Sequence, residues 1–574
     1  MATEPLSIAE RVAALERMAA EGVDIFVVGG GITGAGVAVD AAARGYRVGL
    51  VEKGDFAGGT SSKSTKLVHG GIRYLPQYDF ALVREALVER GLLVRNAPFL
   101  VQPIGFVLPL YAENKRPLGT PIVPPGGIGM SYLIQSGLLL YDILSGRLGV
   151  RRHRRLSKRA VEQMAPCLKT EGLNDAFIYY DAQTDDTRLT ATVIRTAAGH
   201  GALVANYAEV TGFDMENDRI AAARVRDRMT GADYRIPTGT VVNAAGVWAG
   251  RIEALTGGEP QIHVEPAKGV HLTVPRAALK MGKDAIVLPE TEDGRLLFIV
   301  PWGARVTIGT TDTEGGDIDR PAATEDDVAY ILRHIHRYMQ CPLTEADIIS
   351  TWAGYRPLVR STKSAAASSK LSRTHAVIDS PGGMVTIVGG KLTTYRRMAQ
   401  DTVDHISRKQ GDPIAHVTER LPLAGTAGWK ETARRVAGAA PRYGLRPDTV
   451  RRLDRYGAAA GVILDLIAAD PALAARVVPD LPYIMAEVVY TCRYEMALTL
   501  DDVLDRRLRV DFEAWDHGSV AAPAVAGLMA RELGWDAAET ARQVAEYREL
   551  VGRSEAGKAA SAGEPALDRQ DTHS

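Results

Sequence analysis

The stretch 24–52, DIFVVGGGITGAGVAVDAAARGYRVGLVE, admits few folds. Its apolar start, 25–28, reads as a buried parallel strand, and Gly29, Gly31 and Gly34 follow at G-x-G-x-x-G spacing. The first glycine permits a tight turn, the second lets the backbone touch a pyrophosphate, and the third lets a helix lie close against the strand. A helix is expected to begin at this loop, turning free N–H groups and a positive dipole end towards an anion around Gly31, Ile32, Thr33 and Gly34. Gly45 ends it, 47–51 forms a second apolar strand, and Glu52 is placed to bind an adenosine ribose hydroxyl. Glycine-rich turns also arise for packing alone. Here strand, loop, helix, strand and terminal acid are in register, which points to a dinucleotide, either FAD or NAD.

A chain of 574 residues with 46% hydrophobic content calls for two or three domains with large cores. Lys and Arg number 68 against 69 Asp and Glu, so the net charge of -1 gives no bulk electrostatic case for nucleic acid. The three cysteines, Cys167, Cys341 and Cys492, are far apart and form no C-x-x-C pair. That argues against a disulfide framework, a metal cluster and a dithiol redox centre, and it fits a reducing cytosolic setting. The first residues carry Glu4, Glu10, Glu16 and Glu21, unlike an export signal. With a capping box at Ser7 and Glu10, and Ile8, Val12, Leu15 and Met18 near helical spacing, 1–21 reads as an amphipathic lead-in helix. The longest apolar stretch, 128–144, is interrupted by Ser131, Gln135, Ser136 and Asp142, and reads as a buried or surface-docking helix.

Further along, GGTSSKSTKLVHGGIRYL (58–75) crowds five hydroxyls, Thr60, Ser61, Ser62, Ser64 and Thr65, into six positions ahead of Lys66, His69, Arg73 and Tyr74. Hydroxyls so placed can meet phosphate or ring edges. A histidine among glycines is more often structural than catalytic, and an isolated arginine more often pairs on the surface. Strand-like runs fall at 202–210 and 240–246, then at 271–274, 285–288, 295–301 and 305–309. Val385 to Val388 is another, followed by Gly389, Gly390, Lys391 and a helix over 392–409. From about 425, Ala- and Arg-rich helical stretches broken by prolines continue to 550, and 553–574 reads as a disordered tail.

Taken together, VVGGGITGAG, TSSKSTKLVHGGIRYL, IGTTDTE (308–314), GYRPL (354–358) and VGGKLTTYR (388–396) resemble FAD-dependent glycerol-3-phosphate dehydrogenase in order and spacing. YTCRYEMALTLDDVLDRR (490–507) is similar to the helical C-terminal domain of bacterial members. The resemblance covers about 24–550. It implies an α/β fold: a Rossmann-like, discontinuous FAD domain (22–98, 186–262, 350–424) of D-amino-acid-oxidase-like architecture, a mixed-sheet substrate domain (99–185, 263–349) and an all-α cap (425–552). For the cofactor it implies FAD, held by the glycine loop and Glu52 together with Thr60, Ser61, Ser62, Lys66, Val210, Gly246, Gly389, Gly390, Lys391, Leu392 and Thr393.

Oxidising the C2 alcohol of glycerol 3-phosphate requires a hydride to leave for the flavin while the hydroxyl proton goes to a base. His69 is the candidate base, since imidazole titrates near working pH. Arg356 is the alternative for polarising that hydroxyl. Arg73 and Arg356 supply planar charged forks for the phosphate, with Lys391 as a point charge and Tyr74 and Thr310 as neutral donors. The segment 147–159, RLGVRRHRRLSKR, holds seven basic residues and no acid directly after the apolar stretch, an arrangement that suits an anionic lipid surface. The resemblance implies a peripheral enzyme on the inner face of the cell membrane that passes electrons to quinone, with no nucleic-acid partner and with a homodimer left open. A glycerol-3-phosphate oxidase giving electrons to oxygen, and a non-redox FAD-binding protein, are the alternatives. A second G-x-G-x-x-G is missing, which argues against a two-nucleotide flavoenzyme.

Overall fold

A computed structural model describes residues 5–121, 127–258, 260–359, 374–411 and 413–560. The strand Val23–Val28 stands in the middle of a parallel sheet, with Val48–Val51 and then Leu203–Ala205 on one side, and Asp233–Asn243 and then Val385–Val388 on the other. Apart from Asp24 at its start, its residues are apolar on both faces because helices cover both, as parallel strands require. The helix Ile32–Ala43, made almost wholly of Ala, Gly, Val and Ile, is buried all round and packs against the helices Asp186–Gly199 and Tyr395–Lys409.

The expected lead-in helix is Ile8–Glu21, with the Ser7 hydroxyl accepting the Glu10 amide and Leu15 and Met18 buried. Arg11, which looks like an exposed charge in the sequence, is buried and paired with Asp227 at 2.6 Å. The expected strand 202–210 is broken. Leu203–Ala205 stays in the parallel sheet, whereas Ala208–Glu216 leaves it as a hairpin with Arg219–Asp227. The reason is local: Tyr207 sits at φ 50°, and the buried Asn206 side chain is drawn to Asp55 and to the Met496 carbonyl.

A second, ten-stranded mixed sheet roofs the strand ends. Ala285–Leu288 and Arg305–Gly309 stand where expected, 295–301 becomes Leu297–Trp302, and 271–274 is the end of the longer strand Val264–Pro275. Two domain boundaries shift. Ser350–Val359, assigned from sequence to the FAD domain, pairs along its whole length with Val264–Pro275, and Leu67–Val68 pairs with Leu173–Gln183, so both belong to the roof. Backbone pairing decides membership here, and no residue pattern in those short runs names the partner strand.

Helices from Trp429–Ala439 to Ala537–Ala560 form the C-terminal domain around Leu453, Ile463, Tyr490 and Val525. The last helix runs through Ala560 where the sequence suggests a tail from 553, and 561–574 lie outside the described residues. This domain grips the first through buried charge. A π-helical turn, Asp502–Arg507, presents Arg506 and Arg507 to Asp55 at 2.6 and 2.7 Å, and Arg509 pairs with Asp185 and Asp186. Burial works against the Asp185 carboxyl, yet the surrounding Arg509, Arg455, Arg452 and Lys66 charges hold it well below 3.8. Burial likewise opposes Asp55, and Arg507 and Arg506 hold it low.

A carboxyl depressed in the native state contributes its full stabilisation above 3.8 and loses it as pH falls through the native value. Denaturation midpoints should therefore fall steeply below pH 3.8 as Asp185 and Asp55 are protonated. Arg509→Ala should lower stability at pH 7 by about 3 to 5 kcal/mol, by stranding buried carboxylates, and should make that acid limb shallower. Urea titration across pH checks both.

Candidate active site

Where Val23–Val28 ends, the glycine loop turns under geometric constraint. Gly29 lies at φ 114°, with the Ala244 carbonyl oxygen 2.7 Å from where a Cβ would stand. A Cβ on Gly34 would overlap the Gly29 carbonyl oxygen, so the helix can approach its strand only with glycine there. Gly31 is different: only the Ser61 hydroxyl, at 3.1 Å, stands near its missing Cβ, so its bareness serves whatever lies outside the backbone. The half-buried Glu52 carboxylate accepts the Gly30 amide at 2.7 Å and the Gly54 amide at 3.0 Å. Burial raises its pKa against the pull of those amides. Lone pairs remain on it for two hydroxyls. These features fit the pyrophosphate and ribose of FAD.

Beyond the loop opens a cavity of about 230 Å³ between the second sheet and the loops at the strand ends of the first. Fifteen residues singled out in the sequence line it: Ile32, Thr60, Ser61, Ser64, Thr65, His69, Arg73, Tyr74, Thr310, Arg356, Gly389, Gly390, Lys391, Leu392 and Thr393. The Ser61 hydroxyl accepts the Ile32 amide at 2.9 Å, tying the hydroxyl-rich loop to the helix start, and the Thr60 hydroxyl donates to the Tyr355 carbonyl at 2.7 Å. Gly389 and Gly390, both at positive φ, lead into a 3-10 turn, Leu392–Thr394, before the helix proper begins at Tyr395.

The cations are arranged around one ring. Lys391 Nζ lies 4.3 Å from the Tyr74 ring centroid, and the Arg73 guanidinium lies 4.9 Å from it while donating to the Tyr74 hydroxyl at 3.1 Å. Among the described residues no carboxylate forms a salt bridge with Arg73. Arg356 is held differently. Its Nη1 meets Asp312 at 3.0 Å, and its Nη2 donates to the Thr310 hydroxyl at 3.0 Å and the Thr311 carbonyl at 3.2 Å.

Several sequence assignments do not reach the cavity. Ser62 is buried with its hydroxyl donating to the Gly59 carbonyl, and Lys66 is buried with its ammonium on Asp186 at 3.1 Å and 5.1 Å from the Trp352 ring centroid. A lysine beside a buried acid is pulled inward; burial, then Arg509, lowers its pKa to about 8. Gly29, Gly31, Thr33, Gly34 and Glu52 lie at the glycine loop, the helix start and the end of the neighbouring strand, outside the cavity lining. Val210 is a buried residue of the hairpin strand Ala208–Glu216, and Gly246 starts a short turn after Asp233–Asn243.

Three residues that line the cavity or steady its cations went unread in the sequence. Asp312 orients Arg356, and Asp181 lies behind His69 and Gly70. His271 stacks on Trp352 with ring centroids 5.0 Å apart and shares a 2.9 Å hydrogen bond with the Thr65 hydroxyl. Burial, then the charges of Lys66 and Arg356, hold its pKa well below 6.5, so it is neutral at pH 7. Asp312 lies within IGTTDTE, the one local signal that could have flagged it.

Residues 24–396 match the FAD dependent oxidoreductase family, and 416–540 match the C-terminal domain of alpha-glycerophosphate oxidase. The chain is 40% identical over 550 residues to glycerol-3-phosphate dehydrogenase 2 of Mycobacterium tuberculosis, covering 95% of this chain and 91% of that one. It is 41% identical over 546 residues to glycerol-3-phosphate dehydrogenase of Mycobacterium leprae, covering 94% and 90%. The chain belongs to the glycerol-3-phosphate dehydrogenases of the FAD dependent oxidoreductase family. A solved glycerol-3-phosphate dehydrogenase of Bacillus halodurans complexed with FAD superposes with a TM-score of 0.76 at 29% identity, over 95% of this chain and 97% of that one. FAD is the cofactor of this family, and the expected architecture of Rossmann-like domain, mixed sheet and helical cap stands.

Gly31→Val and Gly34→Ala should separate the two duties of the loop. The first should give folded, colourless protein, since the valine meets little but the pyrophosphate; the second should also unfold at lower temperature. Flavin absorbance and thermal melts of the purified variants distinguish them.

Proposed function

We propose that this dehydrogenase oxidises sn-glycerol 3-phosphate to dihydroxyacetone phosphate and passes the electrons to a membrane quinone. The observation that carries the substrate is the pair of cations, Arg73 and Lys391, converging on the Tyr74 ring in a cavity next to the nucleotide loop. Among the described residues Arg73 has no carboxylate to offset it, so the cluster favours a dianion. The 40% identity to proteins named for this substrate supports the same reading.

FAD supplies the hydride acceptor when bound. The chain's own groups do the rest. Arg73, Lys391 and the Tyr74 hydroxyl hold the phosphate and so fix the carbon chain. Arg356, part-neutralised by Asp312, has a guanidinium fixed in direction by Asp312, Thr310 and Thr311, which suits it to meet the C2 oxygen as charge builds there. His69 takes the hydroxyl proton.

The quinone reading draws on the helix Gly127–Ser145. Ile134, Leu138 and Tyr141 pack inward, while Tyr132, Leu139 and Ile143 are 62%, 54% and 63% exposed. Among the described residues no helix is long and apolar enough to cross a membrane, so this stripe suits docking from one side. Within the basic segment Arg154–Arg155 forms a short edge strand; Arg155 is tied to Asp175 and His153 to Asp142, and Arg147, Arg151, Arg152 and Arg154 are exposed. On this reading the enzyme works at the inner face of the cell membrane.

Arg73→Ala should lower kcat/KM by about tenfold to a hundredfold, the loss of one charged hydrogen-bonding partner, and should shrink the preference for glycerol 3-phosphate over glycerol. An unchanged preference places the phosphate elsewhere.

Neutralising Arg151, Arg152 and Arg154 should remove up to ~3 kcal/mol of affinity for anionic vesicles at low salt, at ~1 kcal/mol each. Leu139→Ser with Ile143→Ser should weaken sedimentation with the same vesicles. After anaerobic reduction by glycerol 3-phosphate, a soluble quinone analogue should reoxidise the flavin faster than turnover and oxygen should do so much more slowly. Reoxidation by oxygen at the turnover rate, with stoichiometric peroxide, would assign an oxidase instead.

A further inference from the structure

His69 belongs to a tight peptide, His69-Gly70-Gly71, whose backbone is fixed by side chains from elsewhere. On one side the Thr393 hydroxyl accepts the His69 amide at 3.1 Å and stands 3.2 Å from the His69 carbonyl oxygen, to which it donates. On the other, the Gly70 amide donates to Asp181 at 3.0 Å. That carboxylate, 1% exposed, also accepts Arg90 at 2.6 Å and the Tyr141 hydroxyl at 2.8 Å. Arg90 continues to the Tyr180 carbonyl at 2.9 Å and the Ser145 hydroxyl at 3.2 Å. Gly70 has no room for a Cβ, which would strike Leu87 and the Tyr141 hydroxyl. Three elements thus hold one dipeptide: Leu173–Gln183, Gly127–Ser145 and the turn Leu392–Thr394.

We propose that Asp181 and Thr393 are positioning residues for His69, the carboxylate fixing the Gly70 amide and the hydroxyl fixing the His69 amide and carbonyl, so that the imidazole is held at the cavity wall. This rests on the reading of His69 as proton acceptor. A buried ion pair is a costly way to bind one amide when a neutral acceptor would serve. Its geometry is specific: a carboxylate accepts three donors at once from three directions, which a serine or backbone carbonyl does less completely. Displacement of a reacting group by an ångström is enough to slow chemistry while leaving binding intact.

The test is anaerobic rapid mixing of FAD-loaded enzyme with glycerol 3-phosphate, following flavin reduction. Thr393→Val and Asp181→Asn should each lower the limiting reduction rate by about tenfold to a hundredfold while the apparent Kd for substrate stays within about twofold, and Thr393→Ser should restore the rate. In a His69→Gln background the same substitutions should have little further effect, because they act only through that side chain. Should the stranded Arg90 prevent Asp181→Asn from folding, Tyr141→Phe, which removes one donor from the same carboxylate, carries the comparison. Full-sized losses in the His69→Gln background, or none in folded, FAD-loaded single variants, would overturn the positioning role alone. A wild-type reduction rate in His69→Gln itself would instead overturn the proton-acceptor reading beneath it.

Discussion

Asp55, Asp185 and Asp186 are carboxylates of the nucleotide-binding half that are buried beyond the reach of water, and charges so placed persist only if cations are delivered to them. The C-terminal domain delivers them. Arg506, Arg507 and Arg509 come from one short segment that includes the π-helical turn, whose extra residue aligns neighbouring arginines towards Asp55. Asp186 is the hinge between this lattice and the site. It accepts the Ser64 amide and hydroxyl, the Lys66 ammonium and Arg509, so the loop that walls the cavity is fastened from behind to a domain that contributes nothing to its lining. Removing that domain would strip Asp55 and Asp185 of their arginines and leave Asp186 with Lys66 as its one cation, which is why the helical cap and the flavin loop form one unit although hundreds of residues separate them.

The cavity owes its shape to the same economy of fixed groups. Each end is set by a different kind of partner: an aromatic ring beneath Arg73 and Lys391, and a carboxylate and hydroxyl against Arg356. A ring holds a cation without cancelling its charge, whereas a carboxylate cancels it. The Arg73 guanidinium over the Tyr74 ring therefore keeps its charge, whereas Asp312 offsets that of Arg356, and His271 in the same cavity wall is neutral. A small molecule with a dianion at one end and a neutral alcohol at the other matches that gradient.

Much of this was readable from local pattern. The glycine loop, its strand and helix, Glu52 and the strands at 285–288 and 305–309 all follow from spacing and alternation, since each is built from residues adjacent in sequence. What escaped depends on partners far away. Lys66 and Ser62 look like their neighbours Ser61 and Thr60 in the sequence, and only the placement of Asp186 and the Gly59 carbonyl sends them inward. Ser350–Val359 carries no mark of the sheet it joins. Asp181 carries no mark in the sequence, and its meaning arises from Arg90, Gly70 and Tyr141, which meet it only in the folded chain. Resemblance of motifs pointed to candidate cofactor and substrate residues; it could not point to partners such as Asp181 and Asp312 that meet them only in the folded chain.

The helix Gly127–Ser145 shows how two demands are met on one element. Helical spacing puts Ile134, Leu138, Tyr141 and Ser145 on the inward face and Tyr132, Leu139 and Ile143 on the outward one. The inward face is polar at its end: Tyr141 and Ser145 reach the Asp181 and Arg90 pair behind Gly70. A contact on the outward stripe therefore meets the same rigid body that backs the His69 peptide. Because helix interiors transmit displacement with little compliance, the backing is protected only if the helix is anchored independently of that contact. It is: Leu138 and Ile134 lie in the core with Leu82, Val83 and Phe106, and the Asp142 carboxylate ties the helix to His153. The outward residues are consequently free to vary in their contacts while the geometry at Gly70 stays fixed by buried packing and charge.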